Sequence, residues 1–210
     1  MAEHSSLVAG AMFLLASIQP AAAVAQGPLQ PVLAYEATLP RGSSPTCVAL
    51  TTRGTAFDEA RQQLRSMRDS RPGNASDETR RRQYLADHEH RVFEWRSPLP
   101  VGHGPDDVLP PPLDAAQAAQ LSAAIWPLLA AETVVGGPSE LGAIPAPLRP
   151  GLSPGCRASL TLTAPALAGD LAFVETSYVC GGLCGNGWLY AVRRDGAEWR
   201  LIAIAFTWIS

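Results

Sequence analysis

From Arg157 onward, the sequence of this chain changes to a period of two. "RASLTLTA", "DLAFVETSYV", "GWLYAVRR" and "EWRLIAIAFTWIS" alternate with a period of two and are separated by short links. Such alternation belongs to half-buried strands, and short links favour antiparallel neighbours. A chain ending in this way is committed to a sheet. The expected fold class is therefore α+β, with helices packed on one face of a C-terminal four-stranded antiparallel meander over 157–210.

The dipeptide Asp195-Gly196 suits a two-residue hairpin turn. That turn sets Arg194 opposite Ala197, Arg193 opposite Glu198, Val192 opposite Trp199, Tyr190 opposite Leu201 and Trp188 opposite Ala203. One face then gathers Trp188, Tyr190, Val192, Trp199 and Leu201, and is expected to pack on a helix beginning at Asp114. That helix, "DAAQAAQLSAAIWPLLAAETV", carries Asp114 as N-cap, Gln117 in a capping-box position, and Leu121, Ile125 and Leu128 or Leu129 on one side. Pro127 should kink it or end its regular part.

The first half of the chain is less periodic. "VLAYEATL" and "TCVALTT" read as short strands around the turn "PRGSSP". A helix is expected over Phe57 to Arg68 with Thr55 as cap, and a charged one over Glu78 to His90 behind Asp77. "SPLPVGHGPDDVLPPPL" holds too many prolines for regular structure. "GGPSELGAIPAPLRPGLSPG" is a second connector.

The N-terminus carries an apolar run of twelve, Leu7 to Ile18, followed by Ala23-Val24-Ala25, a small-x-small cleavage pattern. Residues 1–25 are expected to be a signal peptide and 26–210 a single α+β domain, periplasmic or secreted. The run is too short to span a bilayer comfortably, and no second long apolar run follows, so no membrane span is expected after cleavage. Removing 25 of the 210 residues takes Glu3 with it and moves the formal charge from −3 to −2. A balance so near neutral argues against nucleic-acid binding, which needs a basic field. All 16 basic residues are Arg, a compositional bias from which no function follows.

Four cysteines in an exported chain favour disulfides. They stand at Cys47, Cys156, Cys180 and Cys184. The loop "CGGLCGNG" is expected to be a glycine-rich turn in which Cys180 and Cys184 close a small ring, leaving Cys47 to pair with Cys156; three pairings are formally open. A redox role for Cys180 and Cys184 would want two intervening residues and a following helix, whereas three intervene and a strand follows. Zinc would need two further ligands, and a phosphate loop would need a helix after it.

"DHEH" places His88 and His90 on one face only if it is a strand; with His103 they form the other metal candidate, and the basis of a rival reading as a metal-dependent hydrolase. No G-x-S-x-G elbow is present, and Asp106-Asp107 sits in a solvated loop. "NAS" at Asn74 is a formal glycosylation acceptor. No cofactor is expected.

Residues Leu171 to Ser210 resemble the C-terminal region of a group of mostly bacterial proteins sharing A-x-V, a C-G-x-L-C-G-x-G loop, G-x-W and a terminal W-[IV]-S. Ala172, Val174, Cys180, Gly181, Leu183, Cys184, Gly185, Gly187 and Trp208 to Ser210 match, as does Trp199, which stands one residue further from its glycine in Gly196-Ala197-Glu198-Trp199. The resemblance brings no activity with it. The reading is an exported, disulfide-stabilised, non-catalytic domain that binds an unidentified protein or small molecule, with Gly181, Gly182, Leu183, Gly185, Asn186 and Gly187 as a possible recognition loop.

Overall fold

The computed structural model describes residues 27–41, 45–69, 76, 78–80, 82–83, 93–99, 110–131, 133–134, 136–137, 140–151, 155–182 and 184–209. Its elements are α1 (Leu29–Glu36), β1 (Thr46–Thr55), α2 (Asp58–Asp69), α3 (Ala115–Ala130), β2 (Arg149–Pro150), β3 (Ala158–Ala164), β4 (Ala166–Ala168), β5 (Leu171–Gly181), β6 (Cys184–Asp195) and β7 (Glu198–Ile209). The sheet is seven-stranded, in the order β2-β1-β3-β5-β6-β7, with β4 pairing on β5.

This corrects the expected fold class. β3, β5, β6 and β7 do pair in antiparallel succession, but the sheet does not stop there: β1 lies parallel to β3, and β2 parallel to β1. The disulfide Cys47–Cys156 accounts for the direction. It ties the start of β1 to the residues just before β3, so the two strands leave the same end together. A parallel pair needs a crossover between its strands, and α2 and α3 lie within that stretch of chain.

Helices cover both faces, again contrary to expectation. α2 and α3, with Phe93 and Trp95, bury one face against Phe173, Leu189, Ala191, Ala203 and Ala205. α1 buries the other against Val174, Tyr190, Val192 and Ile204. The aromatic face of the β6–β7 hairpin therefore packs on α1, and the Asp114 helix packs behind it.

The hairpin turn differs too. Asp195 pairs with Glu198, so the loop is Gly196-Ala197, with Gly196 at φ +62°. Near the turn the true register lies two residues from the expected one, which leaves every side chain on its expected face. A bulge between Leu201 and Ala203 then brings Ile204, in place of Ala203, onto the α1 side.

"VLAYEATL" is not a strand. Leu29, Val32, Leu33 and Glu36 recur at helical spacing and are all buried, and Pro31 is tolerated in the first turn, where its missing N–H would have no partner. Four consecutive apolar residues concealed that period. Thr55 ends β1 instead of capping α2, and its N–H donates to Asp58 Oδ2 at 2.7 Å. Phe57, at φ +70°, turns the chain between them and stacks on Phe173 with ring centroids 5.7 Å apart.

Asp114 caps α3 as expected, accepting from the Gln117 N–H at 2.9 Å. The helix continues past Pro127 to Ala130. Of the Glu78–His90 segment, residues 78–80 and 82–83 are helical, with Arg82 Nε 2.7 Å from Glu78 Oε1.

Candidate functional site: the disulfide end of the sheet

β1, β2 and β3 begin at the end of the sheet where β5 and β7 finish and β6 begins. Register fixes this: Arg149, Cys47, Ser159, Val179 and Gly185 stand side by side across five strands. Both disulfides, Cys47–Cys156 and Cys180–Cys184, lie at this end.

The Cys180–Cys184 ring closes the β5–β6 hairpin. Val179 pairs with Gly185 and Gly181 with Cys184, so Cys180 is the extra residue of a bulge. Gly181, at φ +150°, accommodates the turn as only glycine does readily. Gly181, Gly182 and Cys184 are exposed, whereas Gly185 and Gly187 are buried. The expected recognition loop thus divides into an exposed tip and a covered stem.

The cover is Trp208. A methyl group added at Gly187 would overlap the indole Nε1 and Cδ1, and one at Gly185 would stand 2.9 Å from Cη2. The ring therefore lies over the β6 backbone, and the two glycines are the space it occupies. A bulge near Thr207 makes this possible: Phe206 pairs with Trp188 but Trp208 pairs with Gly187, which places the two aromatic residues on opposite faces. Phe206 meets Trp188 edge-on at 5.1 Å.

The large hydrophobic residues exposed among the described residues are Val179 (41%), Phe206 (44%), Trp208 (36%) and Ile209 (77%). All four are at the disulfide end. Val179 and Trp208 share one face of this end and Phe206 and Ile209 the other. Folding ordinarily buries such side chains, and exposed apolar residues grouped at one end mark a contact region more often than scattered ones do.

Behind this surface sits a buried polar cluster that the sequence reading missed. Glu36, at the end of α1, is 0% exposed. Its Oε1 accepts from Tyr190 Oη at 2.6 Å and Thr176 Oγ1 at 3.0 Å, and its Oε2 pairs with Arg41. Arg41 in turn covers the Tyr178 ring at 4.5 Å. Burial raises the proton affinity of the Tyr190 hydroxyl well beyond the ordinary tyrosine range, with the Arg41 charge opposing, and burial raises Tyr35 as well. Burial also draws the Arg41 guanidinium below its usual value. The carboxylate is held at Oε1 by two hydroxyls and at Oε2 by the Arg41 cation, while Arg41 Nη1 is buried without a hydrogen-bond partner among the described residues. A lone acidic residue in the apolar run "VLAYEATL" was the available signal.

The other candidates fare differently. Cys180 and Cys184 are bonded to each other at the facing ends of two strands, β5 and β6, and not at the start of a helix. His88, His90, His103, Leu183, Asn74 and Asp106-Asp107 lie outside the described residues. Among the described residues, no three His, Cys, Asp or Glu side chains gather as a metal site, and no helix is long and apolar enough to cross a membrane. No protein-family model matches the chain, and no curated protein or solved structure matches it either.

Proposed function

We propose that this chain is an exported, non-catalytic interaction domain that binds a partner at the disulfide end of its sheet. The observation that carries the reading is the gathering of Val179, Phe206, Trp208 and Ile209 at one end, while large apolar residues elsewhere among the described residues are buried or half-buried. Two disulfides brace that end. A braced surface loses little conformational freedom on binding, which favours affinity. The pairings also suit an oxidising compartment, consistent with the Leu7–Ile18 run and the Ala23-Val24-Ala25 cleavage pattern. Kinship with the bacterial group sharing the C-G-x-L-C-G-x-G loop belongs to the same reading, because Gly185 and Gly187 of that pattern are the positions Trp208 requires.

The test is site-specific photo-crosslinking in the native cell. A photoreactive side chain at Ile209 should yield a covalent adduct, and one at Arg194, at the far end of the sheet, should not. Equal labelling from both positions, or from neither, would sink the reading.

A further inference from the structure

We infer that the partner presents an extended polypeptide segment crossing the strands, apolar at one end and acidic at the other. The inference rests on the interaction reading above and adds the chemistry of what binds.

Charge is distributed unequally between the two ends of the sheet. At the far end, the strand termini and turns carry Asp170, Arg193, Arg194, Asp195, Glu198 and Arg200, of both signs. Arg193 faces Asp170 at 3.7 Å, and Arg200 faces Asp195 and Glu198 at 3.6 and 3.7 Å. At the disulfide end the charged side chains on or beside the strand termini are Arg149 and Arg157, both exposed and neither in an ion pair among the described residues. No carboxylate side chain stands on a strand terminus there: β2 contributes Arg149-Pro150, β1 Thr46-Cys47, β5 Val179 to Gly181, β6 Cys184 to Asn186, and β7 Trp208-Ile209. In a chain of formal charge −3, two exposed arginines at one end without an ion pair among the described residues point to a carboxylate supplied from outside.

The positions along the sheet give the segment its order. Trp208 lies over β6 beside Val179 on β5. Toward β2 the same row continues through Ser159 and Cys47 to Arg149, with Arg157 following the Cys47–Cys156 bridge. The width from β7 to β2 is five strand spacings, about 24 Å, or about seven residues of extended chain. Small half-buried side chains, Ser159, Thr161 and Ser177, occupy the middle of that path, and beyond them Cys47 is covered, so that the segment passes over the Cys47–Cys156 bridge. Apolar residues of the segment meet Val179 and Trp208, and its carboxylates meet Arg157 and Arg149.

Two other occupants fit less well. A second copy of the chain, docked through the same end, brings more arginine and no carboxylate on its strand termini. A lipid surface wants rings projecting beyond the strand ends, whereas Trp208 lies back over Gly185 and Gly187, and Phe206 lies against Trp188.

The experiment is selection of a displayed random dodecapeptide library on the oxidised full chain, with vesicles of phosphatidylglycerol and phosphatidylcholine as a second probe. Enriched peptides should join an apolar run to two or more Asp or Glu. Their affinity should fall about tenfold or more with Arg149→Glu plus Arg157→Glu, and comparably with Trp208→Ala. Val179→Ser serves as a second variant should Trp208→Ala perturb the fold, with thermal melts as the check on both.

Apolar peptides without acidic preference, lost with Trp208→Ala but indifferent to the arginines, would overturn the acidic partner and leave the interaction reading standing. Sedimentation with anionic vesicles and no peptide enrichment would overturn the segment in favour of a lipid surface. Peptides insensitive to Trp208, Val179 and both arginines would overturn the inference and the interaction reading together.

Discussion

Glu36 shows how one residue can decide where an element sits. It is buried by α1 and held by Tyr190, Thr176 and Arg41. Replacing it with alanine strands the Arg41 charge, and removing one partner of a buried pair typically costs about 3–5 kcal/mol. Glu36→Ala should lower stability by that order in urea or thermal unfolding. Tyr190→Phe removes one hydroxyl donor and should cost about 1–3 kcal/mol.

The same contacts set an alkaline limit. Tyr190 and Tyr35 hold their protons more tightly folded than unfolded. Their contribution is complete below the unfolded tyrosine value of about 10 and declines as pH rises above it. Melting temperature should therefore fall above that pH, and Tyr190→Phe should blunt the fall; a flat profile to pH 12 would contradict the burial of these hydroxyls. Gly187→Ala should displace the Trp208 ring, visible as altered tryptophan fluorescence, with little change in the sheet.

At the scale of elements, the two disulfides make unequal contributions. Cys47–Cys156 spans a sequence separation of 109 and Cys180–Cys184 a separation of 4. In the chain-entropy account the first is worth about 5 kcal/mol and the second about 2. Serine replacement of the first pair should lower the unfolding midpoint more, and should loosen β1, whose parallel pairing it anchors. Asp114→Ala should cost about 1 kcal/mol by uncapping α3.

What was legible in the sequence follows from where the physics is local. β3, β5, β6 and β7 announced themselves by period two, and α3 by its Asp114 cap, because both signals lie within a few residues. The parallel placement of β1 was not legible, since it depends on a partner more than a hundred residues away. The period of α1 is concealed by four consecutive apolar residues, Val32 to Tyr35, and the hairpin register differs because Gly196 takes the turn one position later than Asp195-Gly196 suggests. The exposed end had a local trace that went unread: "AFTWIS" is apolar at both parities, which a strand with one solvent face does not need.

For the molecule as a whole, the sheet has two ends of different character. The middle is a three-layer core, with α1 on one side and α2 and α3 on the other. One end carries ion-paired charges of both signs. The other is braced by both disulfides and leaves apolar surface in the open, with two exposed arginines that have no ion pair among the described residues. The proposed contact with a partner lies at the disulfide end. Hydroxyl-radical footprinting tests that most directly, by comparing Trp208 with Trp199 in the purified chain and in extracts of its own compartment. Protection of Trp208 several-fold in the extract, with Trp199 unchanged, is the predicted result; equal oxidation of Trp208 in both settings would contradict it.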